Sequence, residues 1–350
     1  MRDDTSAKRD AALLASLVEA LGEPVVLIDR FDRVHAANAP ARILVPGLRL
    51  GAPLAMALRD PDVLAAVARA RAETAAQTAR FPEHGAVERV FEARAAPVAE
   101  TPGLVALTLR DLTEAWRLDR IRTDFVANAS HELRTPLASL LGFIETLQGP
   151  AREDARARER FLDVMRGQAT RMSRLIDDLL SLSRVERKLH IRPTDSVDLA
   201  QVVGHIAETL APLARTRGAA MKLDLKPVVV AGDRDELARM AENLIENALK
   251  YGLSDDGAGV VDVTVGREGR DAFLIVADHG RGVKPEHLPR LTERFYRVDA
   301  GASRAQGGTG LGLALVKHVV ARHGGRMSIT SRVGEGTSFR VAIPVKKDNS

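Results

Sequence analysis

The chain has 350 residues, 45% hydrophobic, 28% charged and only 3% aromatic, with 51 Lys and Arg against 47 Asp and Glu for a net charge of +4. That length predicts two or three domains, with cores built mainly from Leu, Val, Ile and Ala. Having no cysteine excludes disulfides, thiolate metal sites and cysteine nucleophiles and suits a reducing cytoplasm.

Residues 1–12 are charged and expected to be frayed. The most apolar early stretch, residues 11–28, is interrupted by Glu19, Glu23 and Pro24. Neither a secretory leader nor a bilayer-spanning helix is expected, and the chain reads as soluble and cytoplasmic, with an anchor upstream of Met1 left open. Basic residues alternate with acids, as over residues 151–160, which marks solvated helix faces rather than a nucleic-acid surface.

Residues 13–113 read as mixed α/β. Residues 24–29 and 33–38 predict two strands around a turn at Arg30-Phe31-Asp32, and an Ala-rich helix follows over 60–78. Two more strands are expected at 87–96 and 104–110, joined by the turn Thr101-Pro102-Gly103. From 114 to 187 the texture becomes two long helices broken at Gln148-Gly149-Pro150. Met165, Met172, Leu175, Leu179 and Leu182 follow a heptad, and Leu118, Ile121, Phe125, Leu137, Leu140, Ile144 and Leu147 supply a facing stripe. Two such helices cannot enclose a core alone, so a homodimer closing a four-helix bundle is expected. Residues 188–350 return to α/β: helices at 199–217, 235–251 and 313–323, and strands at 219–225, 228–231, 260–267, 271–278, 326–333 and 337–344.

Four segments carry chemistry. In Ser130-His131-Glu132-Leu133-Arg134-Thr135-Pro136, His131 and Thr135 stand four apart on one helix face. A carboxylate such as Glu132, accepting one ring N–H, fixes the imidazole tautomer and leaves the other nitrogen nucleophilic. In Asn243-Leu244-Ile245-Glu246-Asn247-Ala248-Leu249-Lys250-Tyr251, residues Asn243, Asn247, Lys250 and Tyr251 share a face. Amide oxygens suit Mg²⁺ and an ammonium suits phosphate. In Asp278-His279-Gly280-Arg281-Gly282, an acid at a strand end can accept an adenine amino group while the glycines let the backbone approach the base. In Gly307-Gly308-Thr309-Gly310-Leu311-Gly312, glycines lead straight into a helix and expose N–H groups to phosphate, with no Lys-Ser/Thr pair after them as a Walker loop requires.

These segments, in this order, resemble the H, N and glycine boxes of the sensor histidine kinases of two-component systems, over about residues 118–344 and most closely the phosphate-regulon type. The resemblance implies a dimerisation and phosphotransfer hairpin followed by an α/β sandwich ATPase domain of the Bergerat (GHKL) type. It also implies autophosphorylation of His131 from Mg-ATP and transfer to an aspartate of a response regulator receiver domain. By the same resemblance Glu132 is general base and Thr135 positions a water for dephosphorylating the regulator. Asn247 is the Mg²⁺ ligand, and ATP is bound by Asn243, Asn247, Lys250, Tyr251, Asp278, Gly280, Gly282, Gly308, Thr309, Gly310, Leu311 and Gly312. The run from Phe295 to Gln306 resembles the lid over ATP, and Gly334-Glu335-Gly336-Thr337 the last glycine box. The family usually has Asn where His279 stands here, so His279 is given no role. The N-terminal third resembles a PAS domain, with Asn38 after its second strand; His35 and His84 read as structural rather than haem-binding. Three rival readings are a kinase-inactive signalling scaffold, a gyrase- or chaperone-like ATPase, and a ligand-binding PAS module. The first is disfavoured by the intact boxes, the second by the His-bearing hairpin, and the third accounts for only the first 113 residues.

Overall fold

The computed structural model describes residues 14, 16–83, 89–99, 101–252, 259–299 and 308–346. Residues 1–12, expected to be frayed, His84, residues 87–88 of the strand expected at 87–96, residues 300–306 of the expected lid, and Gly307 lie outside them. The chain divides into two compact units, Met1–Val126 and Ala127–Ser350.

The first unit is a five-stranded antiparallel sheet in the order β2-β1-β5-β4-β3. Its strands are β1 (Val25–Ile28), β2 (Val34–Ala37), β3 (Gln77–Glu83), β4 (Arg89–Pro97) and β5 (Val105–Asp111), and its helices are α1 (Ala39–Leu44), α2 (Leu54–Ala57) and α3 (Pro61–Glu73). The helix expected to run to residue 78 stops five residues early, because Thr74 turns into the left-handed region at φ 54°. The chain then enters β3, where Ala79 and Phe81 alternate inward and Phe81 stacks on Phe91 of β4 at 5.6 Å. Asn38 is fully buried and satisfied: its Oδ1 accepts from the N–H groups of Val25 and Ala41, and its amide donates to Leu21 and Glu23 carbonyls. It is a structural cap rather than a ligand group.

Helix α4 (Thr113–Gln148) leaves this sheet directly. The Asp111 carboxylate accepts the Thr113 N–H at 2.8 Å, and the Thr113 hydroxyl accepts the Val90 N–H at 3.1 Å, which fastens the first turn to β4. The Thr113 hydrogen bonds hold the Asp111 carboxyl below its ordinary proton affinity. The helix continues into the second unit through Pro136, and α5 (Ala155–Arg187) returns antiparallel after a turn capped by Asp154. Phe143 and Phe161 meet across the hairpin with ring centres 5.2 Å apart.

The ATPase-like part of the second unit is a sheet in the order β11-β12-β10-β9-β7, with β7 (Ala219–Leu225) parallel to β9 (Gly259–Glu268) and all other neighbours antiparallel. The remaining strands are β10 (Asp271–Asp278), β11 (Arg326–Arg332) and β12 (Gly336–Pro344), and β6 (Ser196–Asp198) pairs with β8 (Val229–Ala231) in a small second sheet. Helices α6 (Leu199–Thr216), α7 (Arg234–Tyr251) and α8 (Gly312–Arg322) complete the sandwich, and Asp198 and Asp233 cap the first turns of α6 and α7. Leu237, Leu244, Ile245 and Leu249 of α7 are fully buried, as are Val263, Leu274 and Val276 of the sheet.

The heptad on α5 divides its labour differently from the sequence expectation. Leu175 and Leu182 are 3% and 0% exposed within one chain, on a helix that packs against α8. Ile176 and Leu180, on another face, remain 44% and 52% exposed, and so do Leu137 and Leu141 of α4 at 48% and 53%. An apolar stripe of this kind on a hairpin is what a second copy would cover. Leu180→Glu should therefore yield a monomer in sedimentation with its thermal stability little changed, since the single chain leaves that position exposed. Leu182→Glu should instead unfold the chain, because an unpartnered carboxylate in a core is prohibitive. A stable dimer of the Leu180 variant would place the interface elsewhere.

Candidate nucleotide site

Strand β10 alternates strictly, so Ala272, Leu274, Val276 and then Asp278 fall on the buried side. A carboxylate thus ends an otherwise apolar series at the mouth of the sandwich. Asp278 Oδ1 accepts the N–H groups of Gly280 and Thr337, each at 3.1 Å, while burial raises its proton affinity above the ordinary carboxylate value. The second oxygen is left for another donor. Beneath it the backbone is crowded: a Cβ on Gly280 would lie 2.6 Å from the Gly252 carbonyl carbon, so only glycine closes this turn against α7.

The C-terminal half of α7 brings Asn243, Asn247, Lys250 and Tyr251 to the same mouth. Lys250 Nζ is nearly buried and pairs with Glu246 at 2.9 Å, one turn back. The glycine loop approaches from the other side, and a Cβ on Gly312 would collide with the Asn243 amide oxygen. These elements enclose one cavity of about 290 Å³. Of the residues expected to bind nucleotide, it is lined by Asn243, Asn247, Lys250, Tyr251, Asp278, Gly282, Gly308, Thr309, Gly310 and Gly312. Gly280 and Leu311 do not line it; Gly280 serves the turn, and Leu311 is buried below the loop. His279 pairs with Asp262 of β9 at 2.8 Å and is likewise not among the lining residues.

Arg174 and Asp178 from the hairpin helix α5, Arg239 from α7 and Leu291 also line it and escaped the sequence reading. The signal available was the spacing of Arg174 and Asp178, four apart on one face. It went unused because a helix face carries no record of which element will pack on it.

His131, Glu132 and Thr135 do not line the cavity. His131 is exposed on α4, and the Thr135 hydroxyl donates to its carbonyl at 3.2 Å. Glu132 is held by Arg171 of α5 at 3.3 Å and by Arg297 at 2.9 Å. The same Arg297 Nη2 donates to the Thr309 carbonyl at 2.9 Å, so a single guanidinium joins the residue beside His131 to the glycine loop.

A helical hairpin bearing an exposed histidine, followed by a sandwich whose cavity joins amides, an ammonium, a buried acid and a glycine loop, defines a nucleotide-binding protein with a candidate phosphoacceptor. Residues 121–188 match the family described as His Kinase A (phospho-acceptor) domain. Residues 232–347 match the histidine kinase-, DNA gyrase B- and HSP90-like ATPases, and the two matches together span more than half of the chain. Among curated proteins, the phosphate regulon sensor protein PhoR of Pseudomonas aeruginosa is 42% identical over 235 residues, covering 67% of this chain and 52% of that protein. The sensor histidine kinase WalK of Bacillus subtilis is 34% identical over 248 residues, covering 70% of this chain and 40% of that protein. The chain thus spans about half or less of the length of these relatives. A solved structure of the histidine kinase ThkA in complex with the response regulator protein TrrA aligns over 96% of this chain and 99% of that one, at TM-score 0.50 and 18% identity, a likeness of fold. The chain belongs to the sensor histidine kinases, with an ATP-binding domain of the gyrase–kinase–HSP90 type. Among its described residues no helix is long and apolar enough to cross a membrane.

Proposed function

We propose that this chain autophosphorylates His131 from Mg-ATP and then passes the phosphoryl group to an aspartate of a response regulator. The observation that carries the reading is the convergence of Asn247, Lys250, Asp278 and the glycine loop on one cavity, in the same unit as the helix bearing His131. Adenine would be read by the free oxygen of Asp278, and the phosphates would meet Lys250 and the loop amides. The amide oxygen of Asn247, with Asn243 and Glu246 near it, is a hard-oxygen set that fits Mg²⁺, which would offset charge on the phosphates. In the transfer His131 Nε2 bonds to the γ-phosphorus as the bond to the β,γ-bridging oxygen breaks, releasing ADP. Glu132 takes the proton from the ring. Positioning and charge neutralisation supply most of the catalysis in reactions of this class.

His131 stands outside the cavity, so transfer requires either movement of the ATPase part against the hairpin or the cavity of a second copy. The homodimer closed by the exposed α4 and α5 stripes allows both. Incubation with γ-labelled ATP should give an acid-labile, base-stable label that moves to a receiver domain.

The two neighbours of His131 should separate by activity. Glu132→Gln removes the base and should slow autophosphorylation by about 10²-fold, while Thr135→Ala should leave it nearly intact and slow dephosphorylation of the regulator by about ten-fold. Loss of the same activity to the same degree in both variants would refute the division of roles.

A further inference from the structure

A hairpin carboxylate lines the nucleotide cavity, and the proposed phosphoryl transfer does not use it. Asp178 of α5 has a side chain only 11% exposed. Its Oδ2 accepts the Thr309 hydroxyl at 2.8 Å, and its Oδ1 lies 3.8 Å from Arg239 Nη1 on α7. Glu246, Glu242 and Arg174 are other charged groups around it. Burial raises its proton affinity against the opposing pull of Thr309 and Arg239, so this carboxylate is held where its charge is poorly solvated.

Both partners of Asp178 are donors that suit phosphate: a hydroxyl in the glycine loop and a guanidinium on the helix that carries Asn243 and Asn247. A buried carboxylate and an entering polyphosphate repel each other and compete for the same two groups. We propose that Asp178 is a latch displaced by nucleotide: it ties the glycine loop and α7 to the hairpin, and the phosphates of ATP take Thr309 and Arg239 and expel it. The proposal rests on the nucleotide reading of this cavity and adds a regulatory step to it. Loading with ATP would thereby loosen the ATPase part from α5, the rearrangement that reaching His131 demands. By linkage, nucleotide and latch weaken each other by the same factor, so weakening the latch strengthens nucleotide binding.

The test uses the full chain and a non-hydrolysable ATP analogue with Mg²⁺, titrated calorimetrically against wild type, Asp178→Asn and Asp178→Ala. Asparagine keeps the shape and an acceptor for Thr309 but removes the charge, so it decides the matter if the alanine variant is unstable. Both variants should bind about ten-fold more tightly than wild type, within the ordinary range of coupling between linked sites. In wild type, analogue binding should raise deuterium uptake by peptides covering residues 175–182. Unchanged or weaker affinity of the asparagine variant, or uptake that stays flat in wild type, overturns the latch. A wild-type chain that binds no analogue would instead overturn the nucleotide reading beneath it.

Discussion

His131→Ala is expected to reduce acid-labile phosphorylation from ATP to background, a loss of at least about 10³-fold, since the variant lacks the proposed nucleophile. ATP affinity should stay within two-fold or so of wild type, because His131 does not line the nucleotide cavity. The fold should survive as well: position 131 is exposed on α4, and alanine is a better helix former than histidine. Labelling with γ-labelled ATP, paired with nucleotide titration, checks both halves. Persistent base-stable label in the variant would move the phosphoacceptor elsewhere.

Asn247→Ala should be comparably damaging by a different route. Removal of one preorganised polar contact on a transferring phosphoryl group costs about 10²–10³-fold in rate, and Mg²⁺ tolerates a missing oxygen poorly. Autophosphorylation should fall by that factor and recover only partly as Mg²⁺ is raised. Melting temperature should be unchanged, because Asn247 is only partly buried and its replacement favours the helix. Full activity at limiting Mg²⁺ would remove Asn247 from the metal site.

Much of this architecture is legible from residue spacing. The buried face of α7, the alternation of β10 and the long helix α4 each repeat a period, and the structure places them within a residue or two of expectation, while α5 begins only at Ala155, beyond the expected break at 148–150. Strand β3 was not legible because Ala-rich sequence ran into it without a glycine or proline to mark the stop, and only the φ of Thr74 ends α3. Strand β6, at three residues, is too short to carry a pattern. Within the candidate site, the boxes brought together by α7, β10 and the glycine loop were recognisable because each is contiguous in sequence. The Glu132–Arg297 pair, 165 residues apart, and the Asp178–Thr309 bond, 131 apart, depend on packing between distant elements, which no local pattern records.

Helix α4 carries His131 and, twelve residues on, Phe143, which meets Phe161 of α5 across the hairpin. Twelve residues of helix are about 18 Å along the axis and about 120° around it, so the count to the packed ring sets the face on which His131 stands. Each added or deleted residue between them would swing the imidazole by about 100° around that axis. A seven-residue insertion would leave it only about 20° out of phase. Residue count therefore acts here as a compass bearing: the length of this stretch fixes the direction in which His131 faces from the hairpin seam.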